Sequence, residues 1–143
     1  MKLNKILLAV TAIFFANTLS AATFEVEMLN RLGKESMVYS QPVVNIQSGD
    51  TVKWLATTKG HNVQFLSVPE GVGAFRSKLN VDTEYTFTVP GIYLYQCTPH
   101  KNMGMIAVVV VDGNKDNLNA ITSARVAGKS KQRLAKIIET LSS

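Results

Sequence analysis

The stretch GIYLYQCTPHKNMGMIAVVVV, residues 91–111, decides how this chain folds. Both ends are short runs rich in β-branched and aromatic residues, 92–96 and 105–111, and a polar loop containing Pro99 and Gly104 joins them. Apolar runs of this length bounded by turn residues indicate strands. Every position from Ile106 to Val111 is apolar, so this strand is expected to pair centrally and to be covered on both faces. Working towards the N-terminus, Phe24, Val26 and Met28 alternate with Glu25 and Glu27, and residues 42–46, 51–55, 62–66 and 85–89 are further candidate strands. Ser48-Gly49-Asp50, Thr58-Lys59-Gly60 and Val89-Pro90-Gly91 supply turn chemistry between them. Short strands at this spacing with few helices between them predict an all-β protein, an antiparallel sandwich or barrel. Between Glu70 and Asn80 the alternation lapses, and a loop with one helical turn near residues 74–77 is expected.

Working towards the C-terminus, the pattern changes after Asp112-Gly113. Residues 117–126 and 132–141 have helical spacing of apolar side chains, with Gly128-Lys129-Ser130 between them. Two helices of about ten residues are marginal alone, so their stripes are expected to dock on the sandwich. At the other end, Lys2 and Lys5 precede an apolar run over residues 6–16 interrupted only by Thr11, and Leu19-Ser20-Ala21-Ala22 offers small residues for cleavage. This is the layout of a secretory signal peptide, too short for the roughly 20 residues that span a bilayer. The expected organisation is a leader over 1–21, cleaved after Ala21 or Ala22, a β domain over 22–112 and a helical tail over 113–143. The mature protein would then work outside the cytoplasm, in the periplasm of a Gram-negative cell, without membrane insertion.

Composition removes several functional classes. A length of 143 residues fits one domain, and 46% hydrophobic with 17% charged residues excludes disorder. The single cysteine excludes an internal disulfide, a zinc knuckle and a dithiol redox pair. The net charge of +5 falls to +3 without the two leader lysines; residues 113–143 carry six basic and two acidic residues, against seven and eight in residues 22–112. With no basic stripe interleaved with aromatics, a nucleic-acid partner is not expected.

Within nine residues of the opening stretch stand Cys97, His100, Met103 and Met105; the other histidine, His61, follows Lys59-Gly60 at the expected start of a strand. One thiol, two imidazoles and a thioether are the ligand set of a type 1 copper centre, with His2Cys in a trigonal plane and a weak axial sulfur. Thiolate and thioether suit Cu(I) and imidazole suits both oxidation states, so a pre-shaped site rearranges little on one-electron transfer. A Cys97–His100 hydrolase, a copper carrier and a photosynthetic shuttle are the competing readings; the first lacks a third orienting carboxylate nearby.

The spacing Cys97-x2-His100-x4-Met105, the segments ATFEVEMLN (22–30), GDTV (49–52), KGHNV (59–63), CTPH (97–100) and MGM (103–105), and the two-helix tail resemble the small blue copper proteins, the cupredoxins, and most closely the pseudoazurins. Plastocyanins share the loop spacing but lack the tail. The resemblance covers essentially the whole chain after the leader. It implies an eight-stranded Greek-key β-sandwich and one copper ion cycling between Cu(I) and Cu(II). It also implies a protein that is not an enzyme but a monomeric periplasmic shuttle between c-type cytochromes and denitrification enzymes such as nitrite reductase.

Carried over by position, His61, Cys97, His100 and Met105 become the metal ligands, with Met103 beside them. Asn62 becomes the residue that ties the His61 strand to the Cys97 loop, its backbone N–H directed at the sulfur. Pro99 removes a donor from that loop, so fewer N–H groups reach the sulfur. His100 becomes the electron port in an apolar patch with Pro99, Met103 and Gly104, near Met37. Lys59, Lys78, Lys101 and Arg31, with Lys34, are expected to ring it and to steer an acidic redox partner. Where pseudoazurins often carry a non-ligand histidine this chain has Glu27, so a pH effect linked to that residue is expected to be absent.

Overall fold

The computed structural model describes residues 20–143; the leader expected from the sequence falls almost wholly outside them. Eight strands follow in order, β1 (Thr23–Leu32), β2 (Glu35–Tyr39), β3 (Val43–Ile46), β4 (Thr51–Leu55), β5 (Gln64–Ser67), β6 (Thr83–Thr86), β7 (Gly91–Gln96) and β8 (Ile106–Val111), then α1 (Leu118–Thr122) and α2 (Lys129–Ser142). They form two four-stranded sheets, β2-β1-β4-β6 and β3-β8-β7-β5. Alternate residues face inward, where Val26, Met28, Val52, Trp54, Phe87, Tyr93, Tyr95, Ala107 and Val109 build the core between the sheets.

The sheets are mixed rather than antiparallel as expected from strand spacing, because β1 pairs with β4 and β3 with β8 in parallel. Parallel neighbours need a crossover, which this chain makes by passing to the other sheet and back. Strand β2 also has no counterpart among the expected strands. It is joined to β1 by the two-residue turn Gly33-Lys34 with Gly33 at φ +59, and the register pairs Leu32 with Glu35. Glycine first in a two-residue loop is a hairpin signal, and it marks this element in the sequence.

The uniformly apolar β8 has two different neighbours, as its pattern implied. Ala107, Val109 and Val111 face the sandwich core, whereas Ile106, Val108 and Val110, with Ile92 and Leu94 of β7, face Ile121 of α1 and Leu134, Ile137 and Leu141 of α2. Burial of this second face holds helices that would not persist in isolation. Helix α1 is shorter than the periodicity suggested, and α2 begins earlier, directly after Gly128 at φ +55.

Two local expectations are corrected. Residues 74–77 form no helical turn: Phe65 N–H donates to the Phe75 carbonyl and Arg76 bridges Gln64, so the segment runs extended beside β5. There Phe75 packs with Phe65 and Tyr85, at ring-centroid separations of 4.9 and 5.1 Å. His61 does not start a strand, because β5 begins at Gln64. Residues 61–63 bond instead to the loop that follows, with Asn80 N–H on the His61 carbonyl and Ser77 N–H on the Val63 carbonyl.

Candidate metal centre

The opening stretch supplies most of the site because β7 and β8 are adjacent antiparallel strands, in register from Gly91↔Val111 to Gln96↔Ile106. Their connection must therefore double back at one end of the sandwich. Cys97 follows the last paired residue, Pro99 lies within a single 3-10 turn over Thr98–His100, and the Cys97 N–H donates to the Met105 carbonyl at 3.0 Å. That bond closes the loop and sets Met105, fully buried, beside Cys97. His61 comes from the other end of the sequence pattern, 36 residues upstream of Cys97, and is also fully buried.

Cys97 Sγ lies 3.3 Å from His100 Nδ1 and 3.7 Å from His61 Nδ1, and the two Nδ1 atoms are 3.2 Å apart. Metal–nitrogen and metal–thiolate bonds of about 2.0 and 2.3 Å, arranged trigonally, require donor separations of about 3.5 Å between nitrogens and about 3.7 Å from nitrogen to sulfur. The triangle fits one small soft cation. It is the group of three such side chains with converging donor atoms among the described residues.

The tautomer of His61 is set from behind. Its Nε2 faces Asn30 Oδ1 at 2.8 Å and Thr58 Oγ1 at 3.2 Å; the amide oxygen can only accept, so Nε2 carries the proton and Nδ1 turns its lone pair towards Cys97. Neither residue was anticipated from the sequence, where both read as ordinary strand-end and turn residues. The cause of Asn30's availability is an interrupted ladder. Strands β1 and β2 pair at Leu29↔Val38 and Arg31↔Ser36 but not between Asn30 and Met37, where Met37 adopts φ +52. The Asn30 N–H goes to Thr58 Oγ1 at 2.8 Å instead. Met37 itself is half-buried against the inter-sheet core.

Asn62, buried beside His61, accepts the Thr98 N–H at 2.8 Å and the Thr98 hydroxyl at 3.1 Å through Oδ1, and its Nδ2 donates to the Ser77 carbonyl at 3.3 Å. Its own carbonyl takes the Tyr39 hydroxyl at 2.7 Å. One amide thus links the upstream loop, the Cys97 loop and the 75–80 segment.

Burial lowers the pKa of His61, aided by the neighbouring His100 imidazole, and burial alone lowers that of His100. Both rings are therefore neutral at neutral pH. Burial raises the Cys97 thiol, while the backbone N–H groups of Asn62 and then His100 oppose that rise. Pro99 has no N–H to offer the sulfur, and the His100 N–H donates to the Cys97 carbonyl at 3.2 Å, closing the turn.

Towards solvent, His100 is partly exposed, Pro99 and Met103 are exposed, and Arg31, Lys59, Lys78 and Lys101 are exposed. A Cβ on Gly60 would lie 3.8 Å from His100 Cε1, so the Lys59-Gly60 turn abuts the ring. Lys101 shares a shallow groove with Pro99, Leu79 and Arg76, and this last cation was not among those anticipated. No helix among the described residues is long and apolar enough to cross a membrane.

Residues 26–112 match the family model of copper binding proteins, plastocyanin/azurin family. A pseudoazurin of Paracoccus pantotrophus is 40% identical over 80% of this chain and 80% of its own length. A putative pseudoazurin of Rhizobium leguminosarum is 38% identical over 94% and 90%. Among solved structures, a Sinorhizobium pseudoazurin superposes with a TM-score of 0.81 at 38% identity, covering 85% of this chain and 98% of that one. With a soft-donor triangle at one end of a two-sheet sandwich and a helical tail on its outer face, this chain belongs to the pseudoazurins, within the plastocyanin/azurin family of copper-binding proteins.

Proposed function

We propose that the protein is a periplasmic one-electron carrier in which His61, Cys97 and His100 hold a single type 1 copper ion with Met105 as the weak axial ligand. Membership of the family makes it a copper electron carrier; the ligand set, the compartment and the partners are our reading. The observation that carries it is the convergence of Sγ and two Nδ1 atoms at 3.2–3.7 Å, with the His61 tautomer fixed by Asn30. Bound there, copper supplies a centre that gains or loses one electron between Cu(I) and Cu(II). The chain supplies rigidity: Asn62 locks two loops together, Met105 is anchored by its carbonyl to Cys97, and neutral imidazoles present lone pairs without a proton to displace. His100 lies where an electron would enter or leave, between the buried thiol and the exposed Pro99 and Met103. The cations Arg31, Lys59, Lys78 and Lys101 suit a transient complex with an acidic acceptor such as nitrite reductase, after reduction by a c-type cytochrome.

A cysteine hydrolase is disfavoured by the electrostatics. A nucleophilic thiol needs its pKa lowered, whereas burial raises that of Cys97, and the ring nearest a supporting group, His61, is oriented by an amide rather than a carboxylate. Titration of the protein with Cu(II) tests the proposal: one equivalent should produce an intense blue thiolate-to-copper band that Cys97→Ser abolishes and Met103→Leu leaves in place. A colourless complex, or a band that survives Cys97→Ser, overturns it.

A further inference from the structure

The first turn of α2 is built against the ligand loop rather than against the sheet. Ser130 is fully buried and donates its hydroxyl to the Lys101 carbonyl at 2.6 Å. The Lys129 N–H donates to the Asn102 carbonyl at 2.9 Å. A Cβ on Gly128 would overlap that same carbonyl, so the two backbones approach as only glycine permits, and Gly128 sits at φ +55. On the other side of the contact, a Cβ on Gly104 would lie 3.5 Å from Lys129 Cβ. The tail thus grips residues 101–104, the segment between His100 and Met105. The loop's own bonds over this segment are those of tight local turns, Met103 N–H to the His100 carbonyl at 2.9 Å among them. The apolar stripe that docks α2 on the sheet, Leu134, Ile137 and Leu141, lies further along the helix.

We propose that Gly128 and Ser130 are positioning residues of the metal centre: the start of the C-terminal helix holds the His100–Met105 segment in its ligating shape, and metal loading and tail docking reinforce one another. The inference rests on the ligand set proposed above. Coupling of this kind is reciprocal, so a looser tail should release copper faster and copper should protect the tail.

The test compares Ser130→Ala with Leu141→Ala in the full copper-loaded protein. The second substitution removes a buried side chain from the far end of the same helix and so reports general loss of tail packing. Copper release to an excess of chelator under native conditions should accelerate about fivefold in Ser130→Ala, the scale of one buried hydrogen bond, and less than about twofold in Leu141→Ala. The ratio of the visible charge-transfer bands should change in Ser130→Ala and further in Gly128→Ala, and stay at the wild-type value in Leu141→Ala. In the wild type, copper loading should slow amide exchange at Lys129 and Ser130. Equal release rates in Ser130→Ala and wild type, or equal acceleration in both variants with unchanged band ratios, would overturn the positioning role. Absence of the blue band from the wild type is a separate result, which would instead overturn the copper reading.

Discussion

Replacing Asn62 with alanine should destabilise the copper-free protein by about 2–4 kcal/mol. Two bonds to Thr98, from its N–H at 2.8 Å and its hydroxyl at 3.1 Å, would be lost, at roughly 0.5–1 kcal/mol net each. The Thr98 N–H would then be left without its partner in a part-buried loop, and an unsatisfied buried donor adds about 1–2 kcal/mol. The Nδ2 contact with the Ser77 carbonyl is long at 3.3 Å and adds little. For a domain of this size 1 kcal/mol moves Tm by about 4 °C, so the variant should melt roughly 8–16 °C lower. Thermal and denaturant unfolding of the apo form measure this without interference from metal binding, provided the transition is two-state. Thr98→Val removes only the hydroxyl bond and should cost about 1 kcal/mol alone. On the Asn62→Ala background it should cost much less, since its acceptor is already gone, and the double-mutant cycle should show that coupling. An Asn62→Ala variant within about 0.5 kcal/mol of wild type, the scatter of additive sites, would refute the reasoning, as would strict additivity of the two substitutions.

Asn30→Ala should weaken copper binding about tenfold, the low end for loss of a partner behind a ligating histidine, because Thr58 Oγ1 at 3.2 Å remains to hold the His61 proton; competition with a chelator of known affinity measures it. Copper uptake near neutral pH should release about one proton, since burial keeps the Cys97 thiol protonated and both imidazoles neutral. Affinity should therefore fall about tenfold per pH unit on acidification, and more steeply once the histidines take up protons; calorimetry in buffers of different ionisation enthalpy counts that proton. Electron transfer to an acidic partner should slow as ionic strength rises, and Lys101→Glu should reduce both the rate and its salt dependence in stopped-flow measurements. Ile121→Ala, fully buried between α1 and the outer face of β7 and β8, should cost about 2–4 kcal/mol in apo unfolding.

The helical tail changes how the sandwich is built as well as how it is capped. A sheet with one face in water would tolerate polar residues at alternate positions of β8. Here six consecutive buried residues, Ile106–Val111, are possible because the helices close the second face. The same helix that completes this layer is in contact with the ligand loop at its first turn, so the packing of the tail and the geometry of the donor triangle share residues 101–104.

By itself the sequence determined the donor inventory and most of the strands. One Cys, two His and a nearby Met admit few metal chemistries, because ligand identity is a property of residue type, and strand alternation is a local property that survives any tertiary arrangement. The helical stripes were legible for the same reason. What only the tertiary structure decided depends on residues distant in the chain. Parallel pairing of β1 with β4 is set by which sheet the intervening strand joins, not by any local pattern. The β1–β2 hairpin has a local signal in Gly33-Lys34, but the break in its ladder, where Met37 adopts φ +52 opposite Asn30, does not, and at that break the Asn30 side chain meets His61. The roles of Asn30, Thr58 and Ser130 have no sequence signature, since a single polar side chain near a turn reads alike whether it meets water or a ligand's far nitrogen. Only the folding of four separate segments onto one end of the sandwich distinguishes the two.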